Sequence, residues 1–170
     1  IDKLINIIIE EEVKIVFTSA GNPKKYTKFF QENGIKVAHV VPGVKFALKA
    51  QDAGVDAIMF GNENDRPYEF KVNQASTSTM AFVIGSLKNK IKIPFGVNVL
   101  WDPISTIALA ASTGAHFVRE IFTGTYASDM GIWSPNAAKA MRYRDSLNRK
   151  DLLMFYNISA EFAYSLDRRS

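Results

Sequence analysis

The sequence predicts an α/β fold of about six strand-then-helix units, arranged either as a partial (β/α)8 TIM-barrel-like structure or as an open doubly wound parallel sheet. Three observations lead there. Short β-branched or aromatic runs recur along the 170 residues, each followed by a polar or glycine-containing loop and then a segment of helical spacing. Gly34, Gly54 and Gly114 each stand just past a helical segment, where a chain leaving a helix turns through a left-handed residue. Parallel strand–helix–strand units cross over right-handedly, which leaves those two arrangements. A complete barrel takes roughly 250 residues, so this chain supplies part of one.

The opening residues 1–9 are apolar at Ile1, Leu4, Ile5 and Ile8 and run into Glu10, Glu11 and Glu12, which predicts a helix and not a signal peptide. A first strand follows over 13–18. Asn22 as cap and Pro23 at the first helical position then start a helix over 23–33. The second strand takes 36–41, its helix 44–53; the third strand takes 56–60, its helix 73–88. The fourth strand, 95–100, leads through Asp102, an N-cap ahead of Pro103, into a helix over 103–113. The fifth strand is 117–122, its helix 134–147, and the sixth strand is 152–158. Residues 1–170 are expected to form a single α/β domain.

Composition excludes several classes of function. No run of about eighteen apolar residues is present, so no membrane span is expected. Cysteine is absent, which removes disulfides, thiolate catalysis and cysteine-held metals, and fits a reducing, cytoplasmic compartment. The net charge of +4 is scattered among acids, and its only cluster is Arg168 and Arg169 at the end, so nucleic acid is not an expected partner.

Both candidate folds place functional loops at the C-terminal ends of the strands. Asn62, Glu63, Asp65 and Arg66 follow the third strand; Asn98, Trp101 and Asp102 end the fourth. Arg119, Glu120, Thr123, Tyr126 and Asp129 belong to the fifth, and Tyr156 and Asn157 to the sixth. Glu63, Asp65, Glu120 and Asp129 are the candidates for acid and base work. Carboxylates from different strands, such as Glu63, Asp102 and Asp129, suit a divalent cation held through oxygen. Arg66 and Arg119 suit a phosphate or carboxylate. Arg119 and Glu120 are adjacent inside an apolar strand, so one of them faces a buried interior and needs a partner or ligand. Each group also has a structural reading: Asp102 as a cap, Trp101 and Trp133 as packing, His39 and His116 as structural residues away from the strand-end loops.

VKIVFTSAGNPKKY at 13–26 and IKVAHVVPGVKFALKAQDAGVDAI at 35–58 carry a resemblance to the flavin-dependent barrels of the nitronate monooxygenase and enoyl-ACP reductase II family. That resemblance implies FMN beside Gly21 and Asn22. The family's catalytic histidine loop and its glycine-rich phosphate loop are missing, and GNENDRPY stands at 61–68 instead. From Val55 onward the chain resembles the BtpA family of barrel proteins, named for a role in photosystem I biogenesis. GNENDRPY, PFGVNVLWDP at 94–103, FVREIFTGTYASDMGIW at 117–133, MRYR at 141–144 and LLMFYNISAEFA at 152–163 carry it. This second resemblance implies a barrel scaffold with its site at the strand ends, and the polar residues there suit a small anionic or phosphorylated metabolite. An FMN-dependent oxidoreductase is the alternative. The change of resemblance near 55–60 also suits a recombined, truncated or engineered chain with no evolved activity. Uncovered strand edges predict self-association into a homo-oligomer.

Overall fold

The computed structural model describes residues 2–167, so Ile1 and the paired arginines 168 and 169 lie outside the described residues. The elements run α1 (Asp2–Glu10), β1 (Ile15–Thr18), α2 (Lys24–Glu32), β2 (Lys36–Val41), α3 (Val44–Asp52), β3 (Ala57–Gly61), α4 (Gln74–Leu87), β4 (Phe95–Asn98) and α5 (Pro103–Thr113). The second part holds β5 (Phe117–Glu120), β6 (Tyr126–Ser128), β7 (Gly131–Trp133), α6 (Ala137–Ser146), β8 (Leu153–Tyr156) and β9 (Tyr164–Ser165). Helix starts follow capping chemistry: the Asn73, Asp102 and Asn136 side chains each accept from the backbone N–H three residues on. Gly34, Gly54 and Gly114 have φ of 73°, 83° and 75°, the left-handed geometry that a helix exit demands.

Six strands form one parallel sheet in the order β1-β2-β3-β4-β5-β8. The order never reverses, which corrects the doubly wound alternative: that fold needs a switch point from which the chain winds in two directions. Right-handed crossovers in one direction put the helices on one face, and the sheet curls into part of a (β/α)8 barrel. The helix-facing core joins Val37, Val41, Ile58, Phe60, Phe95, Val97 and Val118 of the strands to Phe30, Ala47, Ile84, Leu87, Ile107 and Ala110 of the helices.

Alternation sends the other set of side chains to the concave inner face. Its lower half is apolar, with Phe17, Ala38, Val40, Met59, Phe117 and Phe155 in one cluster. Phe17 and Phe155 belong to the two edge strands, yet their ring centroids lie 5.3 Å apart and both pack on Phe117. The curl is therefore tight enough for the edges to meet through their side chains. Gly96 makes room for this: a Cβ there would sit 2.2 Å from the Phe117 ring.

β7-β6-β9 form a small antiparallel sheet that the strand–helix reading did not foresee. It packs Tyr126 and Trp133 against Trp101, Ile121 and Ala160, residues that follow the C-terminal ends of β4, β5 and β8. Phe70 stacks on Trp133 at 5.7 Å, and Trp101 meets Trp133 edge-on at 5.2 Å. Among the described residues no helix is long and apolar enough to cross a membrane.

Candidate functional site

At the strand C-terminal ends the inner face turns polar. A cavity of about 220 Å³ opens there, lined among others by Glu63, Trp101, Arg119, Glu120, Asn157 and Glu161, with Phe17 as its floor. Strand register explains the grouping: Gly96 pairs with Phe117, Gly61 with Asn98, and Arg119 with Phe155. One step beyond Gly96 and Phe117, Asn98 and Arg119 therefore stand side by side on the inner face.

Glu120 is 1% exposed and Asn98 is fully buried. The Glu120 carboxyl accepts from the backbone N–H of Ile121 at 2.7 Å and meets the Asn98 amide at 2.5 Å. Burial pushes its pKa up to about 8 against the pull of those bonds and of Arg119, with Asp102 adding to the rise. Arg119 is half-buried, with its guanidinium 5.0 Å from the centre of the Phe17 ring. Its Nε is buried without a hydrogen-bond partner, and Arg119 forms none of the ion pairs found among the described residues. Burial lowers its pKa, opposed by the nearby charges of Glu120, Glu161 and Glu63. The Glu63 pKa is raised by burial and by Glu161, with Arg119 and Arg66 opposing. Trp101 closes one side with φ of 70°, a left-handed geometry that strains a bulky residue.

Other residues expected at the site lie elsewhere, each for an identifiable reason. Asp65 turns away from the mouth, accepts from the Ser76 hydroxyl on α4, and lines a separate cavity of about 490 Å³ together with Asn62. Asn62 uses its Oδ1 to accept from Leu100 N–H at 2.8 Å, tying the end of β3 to that of β4. Arg66 lies over Tyr68 and lines a third cavity, about 300 Å³, with Gly21, His39 and Glu63. Glu63 therefore lines both that cavity and the mouth. Asp102 caps α5 through Ser105 and also accepts from Val72 N–H. Asp129 is exposed at the turn between β6 and β7. The pairing of Glu63, Asp102 and Asp129 around a cation is thus corrected: a cap and a hairpin turn hold two of the three away from the cavity. Among the described residues no group of three or more His, Asp or Glu side chains is placed to hold a metal ion.

Tyr156 points to the helix side, its ring 4.9 Å from Phe122 and its hydroxyl donating to Met141 Sδ, because alternation gives the inner position to Phe155. Thr123 lies beyond β5, where its carbonyl accepts from the Tyr126 hydroxyl. Gly21 has φ of 72°, and the Asn22 side chain accepts from Lys24 N–H, so the loop expected beside a flavin turns the chain into α2. His39 bonds the Thr18 side chain at 2.8 Å, and His116 packs edge-on against Phe95. Glu161, Ser159 and Tyr68 line the mouth but escaped the sequence reading. Continuing the strand-end rule from Asn157 to Glu161 would have found the first two.

The model of the BtpA family matches residues 30–170, beginning ahead of the change of resemblance expected near 55–60. The sgc-region protein SgcQ of Escherichia coli K12 is 48% identical over 122 residues, covering 72% of this chain and 46% of that protein. The photosystem I biogenesis protein BtpA of Synechocystis is 38% identical over 98 residues, covering 56% of this chain and 34% of that protein. The chain thus spans less than half the length of both curated relatives. FabK from Thermotoga maritima superimposes with a TM-score of 0.46 at 21% identity, covering 91% of this chain and 37% of that structure. A nitroalkane oxidase from Streptomyces ansochromogenes gives a TM-score of 0.46 at 11% identity, over 65% of this chain and 34% of that structure.

Proposed function

This chain belongs to the BtpA family, and on that footing we propose that it binds a small anionic metabolite, of the phosphorylated or carboxylated class, in the mouth at the strand C-terminal ends. The observation that carries this reading is Arg119: a half-buried guanidinium on the inner face, with no ion pair and a buried Nε that nothing bonds. A charge withdrawn from water without a partner is expensive, and a ligand oxyanion supplies the missing acceptors through the fork geometry of arginine. Asn157 and Glu63 line the same cavity, where they would take ligand hydroxyls, and Trp101 lines it too. The proposal includes a cytoplasmic setting, from the cysteine-free composition, and self-association, from β1 and β8 as sheet edges with Ile15 and Leu153 exposed. Light scattering that gave a monomer mass throughout the micromolar range would remove the association.

Thermal melts with a panel of sugar phosphates and small carboxylates test the ligand reading. At least one compound should raise the melting temperature of the wild type in a concentration-dependent way and leave Arg119→Met unmoved. A panel that moves neither protein, or both equally, contradicts it.

A further inference from the structure

A cavity of about 490 Å³, more than twice the volume of the mouth, opens on the other face of the sheet. Its strand residues Val41 and Phe60 belong to the helix-facing core, whereas the mouth is lined by Phe17 and Val40 of the inner face. Met80, Val83 and Ile84 of α4 close the apolar side. The size falls within the about 300–1,000 Å³ usual for small-molecule sites, and apolar walls with a few polar groups are their ordinary composition. The turn that leaves β3 supplies two of those groups: Asp65 N–H donates to the Asn62 carbonyl at 2.9 Å, and both side chains line the cavity. Asn62 is 8% exposed, and its Oδ1 accepts from Leu100 N–H at 2.8 Å, which leaves Nδ2 without a bond to any described residue. Nδ2 is not one of the fully buried unpartnered atoms, so its remaining exposure is to the cavity that the side chain lines. Asp65 accepts from the Ser76 hydroxyl through Oδ2, and Oδ1 bonds no described residue. No Lys, Arg or His lines the cavity, and Asp65 forms none of the ion pairs found among the described residues.

A carboxylate with no countercharge repels anions, so this cavity does not repeat the chemistry of the mouth. Its unused groups are of opposite kind: the Asn62 amide donates, and the Asp65 carboxylate accepts. A hydrocarbon would leave both unmet, and a cationic amine, which has no acceptor, would leave the Asn62 donor unmet. An amide answers both, its carbonyl to Nδ2–H and its N–H to the carboxylate. We propose that this cavity binds a small neutral molecule with an apolar body and an amide-like polar end, a carbonyl together with an N–H, as in aryl carboxamides, lactams and nucleobases. The body packs on Phe60, Met80 and Val83, and the polar end meets Asn62 and Asp65. The site goes beyond the anion reading and shares no lining residue with the mouth.

Benzamide is the probe, with N,N-dimethylbenzamide and benzylamine as its controls. NMR titration of 15N-labelled protein should show benzamide shifting backbone amides of α4 between Ser76 and Ile84 saturably, in the wild type and in Arg119→Met alike. Dimethylation removes both N–H donors and should weaken binding about tenfold or more, the loss of a bond to a charged acceptor. In Asp65→Ala the two amides should bind alike, which separates the lost hydrogen bond from the added bulk. Thr79→Trp, at the cavity rim, should abolish benzamide binding. Asp65 and Thr79 are both exposed, so the two variants should keep the wild-type spectrum outside the cavity. Benzamide that shifts no α4 amide overturns the proposal, as does equal binding of the two amides to the wild type. A preference for benzylamine over benzamide overturns it in favour of a cation site. Shifts confined to the lining of the mouth and lost in Arg119→Met overturn it too, and leave the anion reading standing.

Discussion

The lower and upper halves of the concave inner face are built from the same strands and opposite materials. Below, Phe17, Phe117 and Phe155 interlock at centroid distances of 5.3 to 6.0 Å, and Gly96 is bare so that the Phe117 ring can lie over it. Above, on the next inward positions, Asn98 and Arg119 carry the unpartnered atoms and Glu120 buries a carboxyl. The floor is held by ring-to-ring contacts, whereas the mouth leaves hydrogen-bonding capacity unused at a burial where it is costly. On the proposed reading the floor serves stability and the mouth a ligand: floor substitutions should lose stability, and mouth substitutions should lose binding while keeping or gaining stability.

The largest effect is expected on the floor. Phe117→Ala removes a ring that packs on both edge strands and should cost about 3–5 kcal/mol in urea denaturation; a loss under about 1 kcal/mol would break the comparison at its base.

The mouth comes next, through pH. The folded-state pKa of Glu120, about 8, stands above that of an unfolded glutamate, about 4.3, so the native state binds the proton more tightly between those values. Stability should therefore fall as pH rises through that window, by up to about 1.4 kcal/mol per unit, and level off above it. Glu63, also raised, acts with the same sign, and His39, lowered by burial, acts oppositely below about pH 6.5. Glu120→Gln should flatten most of the slope between pH 6.5 and 8, and a slope unchanged in that variant would sink the claim.

A smaller loss, about 1–3 kcal/mol, is expected for Gly96→Ala, since the added methyl must displace the Phe117 ring. Asp102→Ala should cost about 0.5–2 kcal/mol as a lost helix cap and leave anion binding intact. If that variant lost binding instead, a cap would have been mistaken for a bystander.

The sheet was legible because its signals are local and repeated: β-branched runs, helical spacing, and glycines at three helix exits. The β6–β7 hairpin was not, since strands of three residues carry no periodicity, and its one cue was Gly131, with φ of 107°, closing the turn after Asp129. Of the residues that line the mouth, Arg119, Glu120 and Asn157 were legible as polar residues placed at apolar strand ends. Sequence alone could not show that Tyr156 faces α6, which depends on the phase of the strand, nor that Asp65 turns to Ser76. Strand ends name the candidates; phase and capping decide among them.

Arg119→Met, followed by urea denaturation with no ligand and then with the anion found to bind the wild type, tests the division of the inner face most directly. Replacing a half-buried charge that has no ion pair with a flexible apolar side chain should leave the ligand-free protein as stable as the wild type or more so, by up to about 2 kcal/mol, and abolish stabilisation by the anion. A ligand-free protein less stable by more than about 1 kcal/mol, still stabilised by the anion, would mean that Arg119 holds the fold together and the ligand lies elsewhere.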